Sequence, residues 1–343
     1  MAYTTINKSS DYFNTKLYTG NATDDTAITG VGFTPSFLWG KNRTDAGTNH
    51  FLIDAVRGVT KELNTNNTSA EGTDATLIKS FDSDGFTLGD GSLNQSAKNF
   101  VTWNWKANGQ GSSNTDGSIT STVSANTTSG FSIVTYTGTS SNETVGHGLG
   151  VTPSLIIARP YSTTSNWTVW HKSIPITQYL FLNTTAGLDT ANQWQDTLPT
   201  SNVFYTSTGS TPNLASGTSQ IAYCFAERKG FSKFSSFVGN GSTDGVFCYT
   251  GFRPAWVMVK KSSASGDNWS ILDSTRNTFN VMNKYLDPNS TNAEGTADIW
   301  DFTSNGFKMR NTFSGYNASS DYIYHAFAEH PLVSSNDIPA TAR

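Results

Sequence analysis

One pattern is written three times along this chain, and a repeat of domain length constrains the fold more than any other feature of the sequence. Tyr18-Thr19-Gly20 leads to Gly32-Phe33-Thr34-Pro35-Ser36-Phe37-Leu38-Trp39 and then Lys41. Tyr136-Thr137-Gly138 leads to Gly150-Val151-Thr152-Pro153-Ser154-Leu155-Ile156-Ile157 and then Arg159. Phe237-Val238-Gly239 leads to Gly251-Phe252-Arg253-Pro254-Ala255-Trp256-Val257-Met258 and then Lys260. The units close on Trp103-Asn104-Trp105, Tyr223-Cys224-Phe225 and His325-Ala326-Phe327, at nearly equal spans from the proline. Solenoid repeats and propeller blades have periods of roughly 20–50 residues, shorter than this one. Each copy therefore reads as a whole small domain.

The organisation expected is a first unit over 1–107, a linker over 108–129, a second unit over 130–229 and a third over 230–343. The linker rests on Asn108-Gly109-Gln110-Gly111-Ser112-Ser113-Asn114, which carries too little apolar surface to pack. The second and third units share a short joint and so a fixed orientation, with the first more mobile relative to them. Inside a unit the period is two. Val101, Trp103 and Trp105 fall on one side of a strand and Thr102, Asn104 and Lys106 on the other, the pattern of a half-buried strand. Phe37-Leu38-Trp39, Leu155-Ile156-Ile157 and Trp256-Val257-Met258 are continuous apolar runs suited to central strands, each preceded by a proline at the strand start. Asp84-Gly85 and Asn305-Gly306 signal type I′ hairpins, and the second unit lacks that glycine at Asn202-Val203. Only 14% of the residues are charged, against about 25% in ordinary domains, while aromatics at 13% supply core volume. The fold class expected is all-β: three tandem β-sandwich repeats of jelly-roll or lectin-like kind.

Charge and composition narrow the partners. The net charge is −4 and no lysine or arginine cluster exists, so no nucleic-acid footprint is present. No apolar run approaches the roughly 20 residues of a membrane span, and Met1-Ala2-Tyr3-Thr4-Thr5-Ile6-Asn7-Lys8 lacks the apolar stretch of a secretory signal. Cys224 and Cys248 sit in strand-like apolar contexts and read as buried free thiols.

The nearest thing to a catalytic motif is Asp54-x-x-Arg57, repeated as Asp273-x-x-Arg276 and replaced in the second unit by His171 and Ile174. A carboxylate oriented by a guanidinium can serve acid–base chemistry, but Glu71 and Glu294 are the only carboxylates that recur nearby. The pairs read as structural ion pairs or turn caps. Asp82-Ser83-Asp84-Gly85 opens like a calcium loop but lacks the glutamate at the twelfth position, so a hairpin is the better reading. The five histidines show no zinc spacing. The expectation is a chain that is not an enzyme, with no catalytic residue, no metal and no cofactor. Aromatics remain. Trp103, Trp105, Tyr223, Phe225 and Phe327 occupy repeated strand slots and read as core. Phe313, Tyr316, Trp194 and Tyr205 lie in less regular stretches and are the candidate ligand-binding residues, with stacking faces for sugar rings. The loops before the closing strands, 90–99, 206–217 and 311–320, are the expected recognition loops, since they differ most between units.

The unit resembles a repeat domain of virion structural and tail proteins of marine bacteriophages. The residues that carry the resemblance are Asn14-Thr15-Lys16-Leu17-Tyr18-Thr19-Gly20, the Gly32–Arg43 run, Asp54-Ala55-Val56-Arg57-Gly58, Ser80-Phe81-Asp82-Ser83-Asp84-Gly85-Phe86, Trp103-Asn104-Trp105-Lys106-Ala107 and the ending Phe327–Arg343. The second unit departs from it at the Asp-x-x-Arg and at the hairpin glycine. The resemblance implies a place on the virion, reached by assembly in the host cytoplasm. It implies a tail-fibre or receptor-binding protein touching host-surface carbohydrate, or alternatively a capsid decoration or head-fibre protein without a ligand. Other virion proteins are the implied partners. Multivalent attachment favours a homo-oligomer, a trimer first. A secreted polysaccharide-degrading enzyme is the third reading, disfavoured by the missing signal and the lack of a recurring carboxylate pair.

Overall fold

A run such as Phe37-Leu38-Trp39 is content as a strand only where both of its faces are buried, and both are. In the computed structural model, which describes residues 4–330, Phe37 and Trp39 face a large central core while Leu38 faces a separate outer core. Every residue of the strand Phe37–Asn42 is buried, and so is every residue of its counterpart Leu155–Pro160. The closing strand Asn99–Trp105, expected to be half-buried, is covered on both sides: Thr102 and Asn104 are as buried as Trp103. Its polar face is a second interior face, because another sheet lies over it.

The fold is all-β, built of antiparallel sheets stacked as sandwiches. One strand order recurs along the chain. Phe13–Thr19 pairs with Asn99–Trp105, then Phe37–Asn42, then His50–Asp54. Phe131–Thr137 pairs with Ser219–Phe225, then Leu155–Pro160, then Thr168–His171. Ser232–Val238 pairs with Asp321–His330, then Arg253–Lys261, then Ser270–Asp273. Register is kept as well as order, since Trp39, Ile157 and Met258 face Trp103, Tyr223 and His325. Each inner sheet is accompanied by an outer one. Thr26–Thr29, Gly85–Leu88 and Ile78–Asp82 form the first, Glu143–Gly146 and Val203–Thr206 the second, and Phe247–Tyr249, Gly306–Met309, Gly295–Thr303 and Met282–Tyr285 the third.

The hairpin glycines act through space more than through turn type. The two-residue loop is Ser83-Asp84, and Gly85 is already the first residue of the next strand, paired with Asp82. A Cβ on Gly85 would lie 1.9 Å from the Ile28 carbonyl oxygen, and one on Gly306 would lie 2.2 Å from that of Cys248. The glycine is what lets the outer strand close in. Asp84 accepts the backbone N–H groups of Gly30 and Gly32 at 2.9 and 2.7 Å, and Asp82 accepts the hydroxyls of Ser80 and Thr87. The calcium-like spelling is thus spent on local hydrogen bonds.

Residues 108–129, expected to be a linker, carry the strands Ser112–Asn114 and Ser121–Asn126, which extend the second inner sheet through Phe131–Thr137. Ile119 and Val123 from this stretch are buried in the central core. The first unit is not loosely attached either. The closing aromatics of the three units, Trp105, Phe225 and Phe327, meet in a triangle with ring centroids 6.2, 5.6 and 6.0 Å apart. Their inner sheets surround one common core, which also holds Phe13, Phe37, Phe131 and Trp256. The sheets that share the recurring strand order contact one another in cyclic order around that core. The ending 331–343, part of the resemblance noted above, lies outside the described residues.

Candidate functional site

The repeated Asp-x-x-Arg sits where one sandwich meets the next. Asp54 ends a strand, and its Oδ1 accepts the N–H groups of Val56 and Arg57 at 3.1 and 2.9 Å, capping the turn that follows. Its Oδ2 accepts Arg57 Nε at 2.6 Å and the hydroxyl of Tyr223, from the second unit, at 2.9 Å. Asp273 repeats this arrangement. It caps the N–H groups of Thr275 and Arg276, pairs with Arg276 Nε at 2.5 Å and accepts Trp103 Nε1, from the first unit, at 3.0 Å. Glu71 and Glu294 complete the two clusters by pairing with Arg57 Nη1 and Arg276 Nη1 at 3.0 and 3.1 Å. At the third seam His171 takes the aspartate slot. Its Nδ1 accepts Ser173 N–H at 3.1 Å, and its Nε2 faces the Tyr324 carbonyl of the third unit at 3.2 Å. Ile174 replaces the arginine and joins the central core. Burial pushes the His171 imidazole down to about 3, so the ring is neutral, with Nε2 the donor.

Two more contacts recur at every seam, in cyclic order, and a third at two of them. Glu71, Leu188 and Glu294 donate their backbone N–H to the carbonyls of Tyr161, Ser262 and Arg43 in the next unit around. Trp167 Nε1 donates to Asn64 O at 2.8 Å, and Trp269 Nε1 to Phe181 O at 3.0 Å. The buried cations that follow the apolar runs reach the same neighbours. Arg159 donates to the carbonyls of Thr68 and Ser69, Lys260 to that of Thr185 and Lys41 to that of Thr291. Burial lowers both lysines to about 8. These polar groups are latches. Side chains of Asp54, Arg57, Asp273 and Arg276 are at most 2% exposed, and no reactant reaches them without opening a seam.

The four aromatic candidates are not brought together. Tyr316 is buried; its ring meets Trp300 edge-on and its hydroxyl donates to Ser270 Oγ at 3.1 Å. Trp194 is also buried and packs edge-on against Phe204. Neither offers a face to a ligand, because each loop folds back to cover its own sandwich. Tyr205 is half-buried on the strand Val203–Thr206. Phe313 alone is open, at 53%.

The three expected recognition loops are pinned inward by one device. Asn94, Asn213 and Asn317 are fully buried. Their Oδ1 atoms accept the N–H groups of Asn21, Thr139 and Asn240. This is why a glycine ends each Tyr-Thr-Gly or Phe-Val-Gly. A Cβ on Gly20 would lie 2.3 Å from Gln95 O, and one on Gly239 would lie 2.1 Å from Ala318 O.

Accessible aromatic surface lies elsewhere. On the outer edge strand Phe247–Tyr249 of the third unit, Phe247 is 44% and Tyr249 60% exposed, while Cys248 between them points into the outer core. The signal in the sequence is the alternation itself: two aromatics flank a cysteine that points inward. A depression of about 450 Å³ is lined by Thr152, Pro153, Ser154, Trp170, Lys172, Leu198 and Pro199. The cavity at the central axis holds about 20 Å³ between apolar rings, room for no more than one water. Among the described residues no group of three or more His, Cys, Asp or Glu is placed to hold a metal ion, and no helix is long and apolar enough to cross a membrane.

No curated protein matches the chain, and neither does any solved structure. A family model described as a domain of unknown function (DUF7483) matches residues 8–331, nearly the whole chain. The chain belongs to that family.

Proposed function

We propose that the chain is a structural protein of a bacteriophage virion, of tail-fibre or receptor-binding kind, that contacts carbohydrate on the host surface. The observation that carries this reading is the exposed pair Phe247 and Tyr249 side by side on one strand, whereas the other well-exposed rings, Phe279 at 82% and Phe313 at 53%, lie outside the strands. Rings left in water on a rigid sheet cost hydrophobic free energy and suit a surface that meets something. The resemblance of the repeated motifs to phage virion domains supports the same place of work. So does the use of the titratable clusters as buried latches, which leaves those groups no part in acid–base chemistry. Assembly with other virion proteins and a homotrimeric state belong to this proposal.

A second reading, a capsid decoration or head-fibre protein, draws on the cyclic order of the contacts between the recurring sheets, which suits a seat on a threefold position of a shell. Imaging of intact particles separates the two. The expected result is density for this chain at the tail periphery with the third unit outward. Density on the head facets would favour the second reading, and absence from the particle would reject both.

A further inference from the structure

The outer sheets supply an internal control, because equivalent positions can be compared within one molecule. In the first unit Ile28 faces Phe86, in the second Val145 faces Phe204, and in the third Cys248 faces Phe307. The residues flanking the inward one point outward. They are Ala27 and Thr29 in the first unit, both exposed, and Phe247 and Tyr249 in the third; in the second, Thr144 is half-buried and Gly146 lies beneath Asn114, on a strand that Ile119 bridges. The first unit therefore closes with small or polar residues at these exposed positions, and the fold does not require rings there.

We infer that Phe247 and Tyr249 form a carbohydrate platform, on which a neutral host oligosaccharide lays the apolar faces of two of its sugar rings. The inference rests on the receptor-binding reading and adds its site and ligand class. Two residues apart on a strand, the rings are about 6.8 Å apart along it. Phe247 is held in place from beneath: a Cβ on Gly306 would lie 2.8 and 3.0 Å from the Phe247 ring, so that ring lies over the glycine.

Size argues for a small ligand. An aromatic side chain offers about 150–250 Å² when wholly exposed, and both rings are partly covered. A stable protein partner takes about 800 Å² per side. Charge argues for a neutral one. Lys308, across from Phe247, pairs with Asp244, and Asp301 on the next strand pairs with Arg310 at 3.2 Å, so the rim carries balanced charge. The same groups, with Thr303 across from Gly306, supply donors and acceptors for sugar hydroxyls around the rings.

The experiment probes the full chain against an immobilised panel of neutral and acidic oligosaccharides. It compares wild type with Phe247→Ala, Tyr249→Ala and the double variant, and carries Phe313→Ala as a control for an exposed ring elsewhere. The residues are solvent-facing, and unchanged thermal unfolding certifies the fold. The expected result is wild-type binding to neutral glycans, a loss of at least tenfold in each single variant, no detectable binding in the double variant and no change in Phe313→Ala. Wild-type binding that survives the double variant overturns the platform and leaves the receptor-binding reading standing. Wild-type binding to no glycan overturns both. Concentration-dependent self-association abolished by the double variant would replace the sugar with a second copy of this chain. Preference for acidic glycans would overturn the neutral ligand.

Discussion

At the residue scale, positions 54, 171 and 273 show what a repeated slot demands. Each ends a strand and must accept backbone N–H groups of the turn behind it, and each must bond to the next sandwich. Aspartate does both with two oxygens; a neutral histidine does both with two nitrogens. The difference appears with acid. In the unfolded chain a histidine takes up a proton near pH 6.5, whereas burial holds His171 down to about 3 and His147 down to about 4, and keeps His50 and His325 well below the usual value. The folded-state values are depressed, so this stability is complete above pH 6.5 and is lost as pH falls toward them. Melting temperature should fall steadily from pH 6.5 to 4, and His171→Asn, which keeps an acceptor and a donor, should flatten that slope. An unchanged slope would remove His171 from the account. The aspartate seams fail differently. Asp273→Ala leaves Arg276 buried without its main carboxylate and Trp103 Nε1 without an acceptor. Denaturant unfolding should show a loss of about 3–5 kcal/mol. A loss below about 1 kcal/mol would mean the latch is not engaged in solution.

At the scale of elements, strands here are two-faced. Leu38 and Ile53 go outward to one core while Trp39 and Leu52 go inward to another, and this explains why polar Thr102 and Asn104 are buried alongside tryptophans. It also explains the segment 108–129. Its Gly/Ser-rich start belongs to a hairpin whose second strand, Ser121–Asn126, is paired throughout with Phe131–Thr137. A polar segment can be structured when its backbone completes a ladder and a few residues such as Ile119 and Val123 reach the core. Limited proteolysis under native conditions should therefore produce no stable fragment ending within 108–129. Rapid cleavage there into two folded pieces would restore the linker.

At the scale of the whole molecule, the shared aromatic core and the cyclic seams couple the units. Trp105 alone touches Phe13 and Phe37 of its own unit, Phe131 and Phe225 of the second, and Trp256 and Phe327 of the third. Removing one sandwich would expose this core on the other two. Calorimetry should record one cooperative transition with calorimetric and van't Hoff enthalpies in agreement, and residues 1–107 expressed alone should not give a folded domain. Three separable transitions would show that the units fold independently.

The sequence alone determined what depends on local spacing. Period-two alternation, proline-led apolar runs and glycine-rich turns dictate β-structure, and the recurring spellings locate the central strands, the closing strands and the Asp-x-x-Arg turns. It also marked Trp103, Trp105, Tyr223, Phe225 and Phe327 as core and Cys224 and Cys248 as buried thiols, and all seven are buried. Only the tertiary structure decided which side of a strand meets which neighbour. Nothing local to Tyr223 says that its hydroxyl serves Asp54 from another unit, nor that Tyr316 turns inward while Phe247 and Tyr249 stay outside. Such contacts join residues far apart in the chain, and their geometry is set by how whole sheets pack. A string of residues specifies the faces; the packing of the sheets on one another assigns each face to water, to an outer core or to the common one.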